Sequence, residues 1–361
     1  MSEAQGEALE RWRRAIISVA VQEMGHLLIV ANLTVAVGGR PRFSRANFPV
    51  SPGYFPSGVA VRLTPFNTET LEHFIFLERP QGVEEKDSEP FEQQDYSREQ
   101  AETGLMPTAQ DYETIGHLYE AIRTNLSALD RQLGGSTLFL GDEGAQIGGE
   151  IIDLAGVNPI LDLRSAMAAI DVVIEQGEGS SSDREGSHYR KFLAIRDELA
   201  GQIRNDPSFV PAWPAADSPV LRRPAEPNGT QFVDSPEAAR LLDFACSAYG
   251  LLLRCLVQCF GRLAANRQDE QKLLMTAATE MMHVVGEASS LLARLPATPT
   301  DPDTHAGMTF TVLRGVEPLL PGEAERRLLV ERAAELARVG ERVFPPVSGQ
   351  LSKARDALAK L

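Results

Sequence analysis

Apolar residues recur at helical spacing along most of the 361-residue chain. The clearest case is residues 8–37, where the spaced apolar positions are Ile16, Val19, Leu27, Val30 and Leu33. The Gly-Gly pair that follows predicts the end of this helix. Further helices are predicted over residues 68–79, 108–132, 162–176, 185–204, 235–265, 268–294 and 320–341. The pattern therefore predicts a mostly α-helical protein.

Three segments interrupt this pattern. Residues 40–66 are rich in Pro, Gly and aromatic residues, so they cannot form a long helix and are expected to cover the body of the protein. Residues 81–105 are polar and acidic and are expected to be an exposed or partly disordered excursion. Residues 205–232 contain six prolines and form a semi-rigid connector. We therefore predict a helical domain over residues 1–204, this linker, and a C-terminal helical region over residues 233–361.

The composition narrows the classes of function. Lys and Arg number 35 against 50 Asp and Glu, which gives a formal net charge of −15 and a pI of about 5.0. An acidic surface argues against binding to nucleic acid phosphates as the main role. The N-terminus lacks an apolar signal core, and the longest apolar run, residues 27–37, is too short to span a bilayer. These features predict a cytoplasmic protein that binds neither nucleic acid nor a membrane.

Cysteines and glycines add two exclusions. The three cysteines, Cys246, Cys255 and Cys259, are too few for a disulfide framework or a zinc set, so we expect them to be small buried residues. The Gly-rich run at residues 141–149 lacks the Lys and the strand-before, helix-after context of a phosphate loop. A nucleotide site is therefore not expected.

The candidate chemistry begins with one motif in the first helix. Glu23 and His26 lie three residues apart within an apolar stretch, so their side chains leave the same helix face. In di-iron carboxylate bundles such a pair occurs on two helices, and each of two other helices adds one more Glu. The alternative is a buried polar pair whose members satisfy each other. A buried charge is costly unless it is paired or bound to a metal, which makes this alternative harder to sustain.

A second Glu-x-x-His pair begins a later helix, at Glu185 and His188. Two carboxylates, Glu175 and Glu178, end the helix before it, and the spacing does not decide between them. These segments supply two helices with Glu-x-x-His and one helix with a further Glu. The pattern therefore predicts a metal site that draws ligands from three helices.

Other histidines carry weaker signals. Glu280-x-x-His283 repeats the spacing, which shows how readily the motif arises by chance, and its expected place is a helix surface or interface. His117 follows a Glu by four residues and is expected in a solvated pair or behind a metal ligand. His73 and His305 have no predicted partner.

Six segments occur in an order that points to a family: VQEMGHLLIVANLTVAVGGRPRF, NFPVSPGYFP, LEHFIFLERP, TIGHLYEAI, IEQGEG and SHYRKF. In this order the chain resembles the ferritin-like proteins related to the iminophenylpyruvate dimer synthase of the violacein pathway. The resemblance covers roughly residues 14–200, and the C-terminal region looks like the helical tail of such proteins.

The resemblance implies a ferritin-like helical bundle with a di-iron site or a site for another divalent metal. The ligands that it implies are Glu23, His26, Glu175 or Glu178, Glu185 and His188. Glu78, in FIFLERP, is a further candidate, either as a ligand or as a residue that holds a loop.

The chain departs from the family pattern at its start. Relatives carry a preceding helix with a Glu-His motif that donates the first carboxylate, whereas only about twenty residues precede Glu23 here. This departure predicts that the first bundle helix is missing and that the metal site is incomplete.

Two functions follow as hypotheses. The first is a metal-dependent oxidative enzyme of secondary metabolism that acts on a small molecule. The second is a non-catalytic helical scaffold, whose open apolar groove takes a partner protein or a second copy of the chain. Iron storage ranks last, because nothing indicates a compact closed-shell subunit.

Overall fold

A computed structural model describes residues 2–50, 60–91, 114–133, 135–177, 186–227, 229–261, 267–317 and 322–361. Its helices are α1 (Glu3–Ala36), α2 (Thr68–Leu77), α3 (Ile115–Leu133), α4 (Gly135–Leu138), α5 (Leu163–Gly177), α6 (His188–Asn205), α7 (Pro236–Cys259), α8 (Arg267–Leu292), α9 (Gly322–Val343) and α10 (Ser348–Leu358). Its strands are β1 (Pro219–Val220), β2 (Gln231–Phe232), β3 (Pro296–Thr298) and β4 (Asp301–His305). The predicted mostly α-helical class is confirmed.

The long helix α1 begins five residues before its predicted start. The backbone N–H of Ser2 donates to Oε1 of Gln5 at 2.6 Å, and the backbone N–H of Gln5 donates to the Ser2 hydroxyl at 3.3 Å. This reciprocal cap satisfies two N–H groups that helix geometry leaves free. Gly38, at φ +82°, follows the helix in the left-handed region that glycine enters without strain.

Helix α1 enters two hydrophobic clusters. Its N-terminal half packs against α2 and α6 through a small cluster formed by Ala8, Trp12, Val19, Leu71, Ile75, Tyr189, Phe192, Ile195, Leu199 and Phe209. Its C-terminal half enters a much larger core, which also takes side chains from α5 and from the C-terminal helices. One helix therefore joins both parts of the molecule.

The C-terminal helices form the centre of the large core. Helix α7 packs against α8 and α9, and α10 packs against α8 and α9 in turn. Cys246, Cys255 and Cys259 are buried on α7 and carry free thiols, as expected from their number and spacing. Because this core includes Leu28 and Ile29 of α1, packing crosses the predicted linker. The division into residues 1–204, 205–232 and 233–361 stays a prediction.

The Pro-rich connector is held at several points along its length. Strand β1 pairs in parallel with β2, while β3 and β4 form a separate antiparallel pair. The backbone N–H of Ser218 donates to the carbonyl of Leu63 at 2.7 Å, and the N–H of Ala216 donates to the carbonyl of His305 at 2.8 Å. The connector is thus tied both to the segment before α2 and to β4.

Two helices of the described part, α1 and α7, are long and apolar enough to cross a membrane by length and composition alone. The core helix of a compact protein meets the same criterion, and α7 lies in the centre of the large core. The finding is weak evidence for a membrane span, and the cytoplasmic location stays a prediction.

A buried amide fixes the C-terminal half of α1 to the segment that follows α4. The Asn32 side chain is fully buried and donates to the carbonyls of Ile147 at 2.7 Å and of Asn158 at 3.0 Å. Its oxygen accepts from the N–H of Ile147 at 2.8 Å. Nearby, Gly141 approaches so closely that a Cβ would lie 1.8 Å from the carbonyl oxygen of Val35. The two contacts set the distance between the segment and the helix.

We expect Asn32→Ala to destabilise the fold, because it leaves the buried carbonyl and N–H of Ile147 without their partner at about 1–3 kcal/mol each. Chemical denaturation followed by circular dichroism would measure the loss. Asn158→Ala is the matched control, since the exposed Asn158 contributes only its backbone carbonyl. Equal stability of the Asn32→Ala variant and the wild type would contradict the structural role of this amide.

Candidate metal centre

Helix α1 contributes a carboxylate and an imidazole to one site. Nδ1 of His26 lies 3.2 Å from Oε1 of Glu23, so the two side chains share a face, as their spacing predicts. The His26 side chain is 7% exposed and the Glu23 side chain is 48% exposed. The pair therefore lies at the edge of the protein interior, with its carboxylate reachable from solvent.

Helix α6 places a second imidazole opposite this pair. Ser187 caps the helix, because its hydroxyl accepts from the backbone N–H of Arg190 at 3.3 Å. His188, the first residue of α6, is fully buried, and its Nδ1 lies 3.0 Å from the same Oε1 of Glu23. The rings of His26 and His188 lie 5.7 Å apart between centroids. One carboxylate oxygen thus lies between two imidazole nitrogens.

A second carboxylate comes from the end of α2. Glu78 is the residue that ends this helix, and its side chain is 15% exposed. Its Oε2 lies 3.6 Å from Nδ1 of His188. Ligand atoms of Glu23, Glu78 and His188 all lie within 4.8 Å of one another. The structure therefore groups Glu78 with the candidate ligands.

The residues of this site fit a metal ion. Among the described residues, Nδ1 of His188 is buried without a hydrogen-bond partner, although the Glu23 oxygen is close. A buried polar atom in this state is costly unless something satisfies it. Imidazole nitrogen and carboxylate oxygen are the ligands that iron and related divalent metals take in such bundles. A metal ion among these atoms would take the place of the proton on this nitrogen.

Three polar residues that the sequence analysis did not single out surround the imidazoles. Nε2 of His26 lies 3.0 Å from Oε1 of Gln176, and Nε2 of His188 lies 3.1 Å from Oε1 of Gln22. The ammonium of Lys191 donates to that same Gln22 oxygen at 3.0 Å. Lys191 follows His188 by three residues, and this shared helix face is the one signal of its role that the sequence offers.

The charges of the site shift the pKa values of its members. Burial by itself would raise the pKa of Glu23, but His188 and His26 outweigh burial and lower that pKa to about 2. Burial by itself would lower the pKa of His188, but Glu23 and Glu78 outweigh it and raise that pKa to about 9. Burial, with the charge of Glu23 as the second cause, raises the pKa of Tyr119 on α3 to about 12. Without a metal ion, the site at neutral pH is therefore an ion pair.

The other predicted ligands have different outcomes. Glu175 is exposed on α5, and within the described ranges it does not belong to the grouped ligand atoms. Its neighbour Gln176 contacts His26 instead. Glu178 and Glu185 lie outside the described residues, so the choice between Glu175 and Glu178 stays open, and Glu185 stays a prediction.

The remaining histidines lie in other surroundings. His283 is exposed on the surface of α8. A carboxylate oxygen of Glu280 lies 3.4 Å from the ammonium of Lys353 on α10. The third Glu-x-x-His therefore lies at a helix surface and a helix–helix contact, as expected. His73, for which the sequence predicted no partner, is buried with Nδ1 2.9 Å from the carboxylate of Asp87.

Within the described ranges, His73, His305 and His117 do not belong to the grouped ligand atoms. The ring of His73 stacks on Phe91 at 3.9 Å between centroids, which makes it a core histidine. His305 contacts the Trp213 ring edge-on at 5.2 Å, and His117 is half-buried on α3.

The chain belongs to the ferritin-like family. The family model described as Ferritin-like matches residues 2–197, which is more than half of the chain. The helices that carry the candidate ligands, α1, α2 and α6, begin within this range. The family and the mostly helical class inferred from the sequence are thus confirmed.

Two curated relatives narrow the comparison. The chain is 26% identical over 309 residues to dichlorochromopyrrolate synthase of Lentzea aerocolonigenes, covering 79% of this chain and 28% of the relative. It is 26% identical over 293 residues to 2-imino-3-(indol-3-yl)propanoate dimerase of Chromobacterium violaceum, covering 79% of this chain and 26% of the relative. The chain therefore spans about a quarter of the length of each relative. No solved structure matches it.

We expect Glu23→Gln to lower the pKa of His188 from about 9 toward the ordinary 6.5, because the nearest carboxylate loses its charge. A raised histidine pKa stabilises the fold fully below pH 6.5, and this contribution is lost as the pH rises through about 9. The wild type should therefore exceed the variant in stability near pH 6 by more than it does near pH 10. An NMR titration of His188, with denaturation at both pH values, checks this in metal-free protein. The exposed His283 serves as the internal reference, and an unchanged His188 pKa would contradict the ion pair.

Proposed function

We propose that this chain is a metal-binding ferritin-like protein in which Glu23, His26, Glu78 and His188 hold the ion, with iron as the first candidate. The observation that carries the proposal is the position of Oε1 of Glu23, 3.2 Å from Nδ1 of His26 and 3.0 Å from Nδ1 of His188. Both imidazoles present Nδ1 to one oxygen, while both Nε2 atoms face glutamine oxygens. The ligand atoms of Glu23, Glu78 and His188 lie within 4.8 Å of one another, and His26 adjoins this group through its contact with Glu23.

Metal ligation accounts for this arrangement better than an ion pair alone. In an ion pair, one protonated imidazole is enough to balance the charge of Glu23, and a second imidazole at the same oxygen adds little stabilisation. Two imidazoles with carboxylates form the donor set of non-haem iron, and such histidines usually donate their far ring N–H to an outer oxygen acceptor, the role that the two glutamine oxygens can take here. A zinc or manganese ion is the alternative occupant, because imidazole and carboxylate ligands also suit these metals.

A second iron needs more carboxylates than this group supplies. Di-iron bundles take two Glu-x-x-His pairs and two further Glu residues. Glu175, Glu178 and Glu185 are the candidates from the sequence, and all three stay proposals. We therefore propose at least one ion, with two as the arrangement that the di-iron interpretation requires.

For the activity, we propose an oxidative step in the biosynthesis of a secondary metabolite. The support is the resemblance to a synthase and to a dimerase whose name gives 2-imino-3-(indol-3-yl)propanoate as its substrate. An α-imino acid with an aromatic side chain is the substrate class that we propose for this chain. Bound iron would supply dioxygen activation or polarisation of the substrate.

Side chains around the proposed metal site leave one side open to a small molecule and hold the two imidazole rings in place. The half-exposed Glu23 marks the side of the site that a small molecule can approach, while the buried His26 and His188 close the opposite side. Gln176 and Gln22 hold the far nitrogens of the two rings, so that the rings keep their direction.

We expect purified protein loaded anaerobically with Fe(II) to retain one to two equivalents after desalting, measured by elemental analysis. Glu23→Ala and His188→Ala should each lose most of this metal, because each removes an atom of the grouped ligand set. The effect on affinity should be at least about 10-fold, since even supporting partners of metal ligands typically contribute that much.

The matched control for this loading experiment is His283→Ala, which alters a Glu-x-x-His on another helix and leaves the site untouched. Retention of iron by the wild type and by His283→Ala, with loss in Glu23→Ala and His188→Ala, would support the proposed ligands. Wild-type protein that holds no iron, zinc or manganese would overturn the proposed function. Equal retention by all variants would place the metal elsewhere.

A second candidate function is a non-catalytic scaffold or partner protein. The observation that favours it is the exposure of Ile17, Val21 and Leu27 on α1, beside the site. Apolar side chains exposed together on one helix are typical of contact surfaces. A chain that binds no metal but sediments as a stable oligomer would support this alternative over the enzyme.

A further inference from the structure

We propose that Lys191 and Gln22 position His188 so that its Nε2 keeps a proton and its Nδ1 is the nitrogen offered to the metal ion. The inference rests on the metal site proposed above, and it assigns a role to two residues that are not ligands themselves.

The contacts link two helices through one amide oxygen. The ammonium of Lys191 donates to Oε1 of Gln22 at 3.0 Å and to the hydroxyl of Ser18 at 3.3 Å. Nε2 of His188 lies 3.1 Å from the same Gln22 oxygen. Lys191 and His188 lie one turn apart on α6, and Ser18 and Gln22 lie one turn apart on α1. The lysine therefore reaches the outer partner of the histidine beside it.

The chemistry of lysine determines which way the amide points. An ammonium group has hydrogen-bond donors and no acceptor, so the Gln22 atom that it contacts must be the carbonyl oxygen. A carbonyl oxygen can only accept, so Nε2 of His188 must carry the hydrogen of the 3.1 Å contact. When the ring is neutral, the other nitrogen, Nδ1, is then left with its lone pair.

With the proton on Nε2, the lone pair of His188 is on Nδ1, which faces the two carboxylates. Nδ1 is buried and makes no hydrogen bond of good geometry among the described residues, and it lies 3.0 Å from Glu23 and 3.6 Å from Glu78. With Nε2 committed to Gln22, Nδ1 is the one nitrogen of this ring that can bind a metal. Partners behind a ligating histidine act in this way, by fixing the tautomer and the ring direction.

The tautomer of His26 is not fixed in the same way. Nε2 of His26 lies 3.0 Å from Oε1 of Gln176, and within the described part of the chain no cation donates to that amide. An amide free of such a donor can turn and present its NH2 group instead. The two histidines therefore differ: Lys191 fixes the tautomer of His188, whereas His26 can adopt either one.

The test follows the imidazole nitrogens of 15N-histidine-labelled protein by long-range 1H–15N NMR. The spectra are recorded on metal-free protein in the Glu23→Gln background near pH 8, where the His188 ring is mostly neutral because its pKa falls toward 6.5. A higher pH is avoided because burial lowers the pKa of Lys191 below 10.5, and the ammonium would lose its proton. With Lys191 present, His188 should carry its proton on Nε2. Lys191→Met should give a mixture of both tautomers, because the Gln22 amide can then turn. Lys191→Arg should restore the wild-type pattern, because arginine also has donors only.

The second arm measures zinc affinity by calorimetry. Lys191→Met should bind zinc about 10-fold more weakly, and Lys191→Arg should recover most of the affinity. Lys272→Met, which removes an exposed lysine on α8, is the control for loss of a positive charge. Thermal unfolding of every variant verifies that the fold is kept.

Two results would overturn the inference: a neutral His188 that carries its proton on Nδ1 while Lys191 is present, or a Lys191→Met variant with unchanged tautomer and affinity. The metal-free spectra separate this inference from the proposed function. A His188 proton on Nε2 in these spectra, together with a wild type that binds no zinc and no iron, supports the positioning role and refutes the metal site.

Discussion

The carboxylate of Glu23 on α1 lies where side chains from α6 and from the end of α2 converge. Two buried or nearly buried imidazoles approach one of its oxygens, and a second carboxylate reaches the same volume from the end of α2. Removing such groups from water is unfavourable unless charges are paired or a metal ion is bound. The relative positions of α1, α2 and α6 therefore determine whether the charges of these four side chains are paired or bound to a metal ion.

The rest of the structure holds these helices in place from two sides. The small cluster around Trp12 and Leu71 packs α1 against α2 and α6 at one end. The large core fixes the other end of α1, where the buried Asn32 side chain makes three hydrogen bonds to the segment after α4. A long helix anchored at both ends is a rigid support for the two ligands near its middle, and rigid elements give more precise sites than loops.

The sequence predicted those parts of the fold and site that depend on local spacing. Helix positions follow from apolar periodicity, and Glu23 with His26 follows from the three-residue spacing on one helix. The short strands were not predicted, because two to five residues give no readable alternation. Gln22 and Gln176 were not predicted either, because their role depends on which helices meet. The exposed His283 has the same spacing on another helix, yet in the described part of the chain it joins no group of ligand atoms.

The measurement that tests this account most directly is anomalous X-ray diffraction at the iron edge from crystals of the Fe(II)-loaded protein. The account predicts a peak bounded by Glu23, His26, Glu78 and His188, with Nδ1 of both histidines directed at it. No anomalous peak in that volume, or a peak at another position, would contradict the assignment of this cluster as the metal centre.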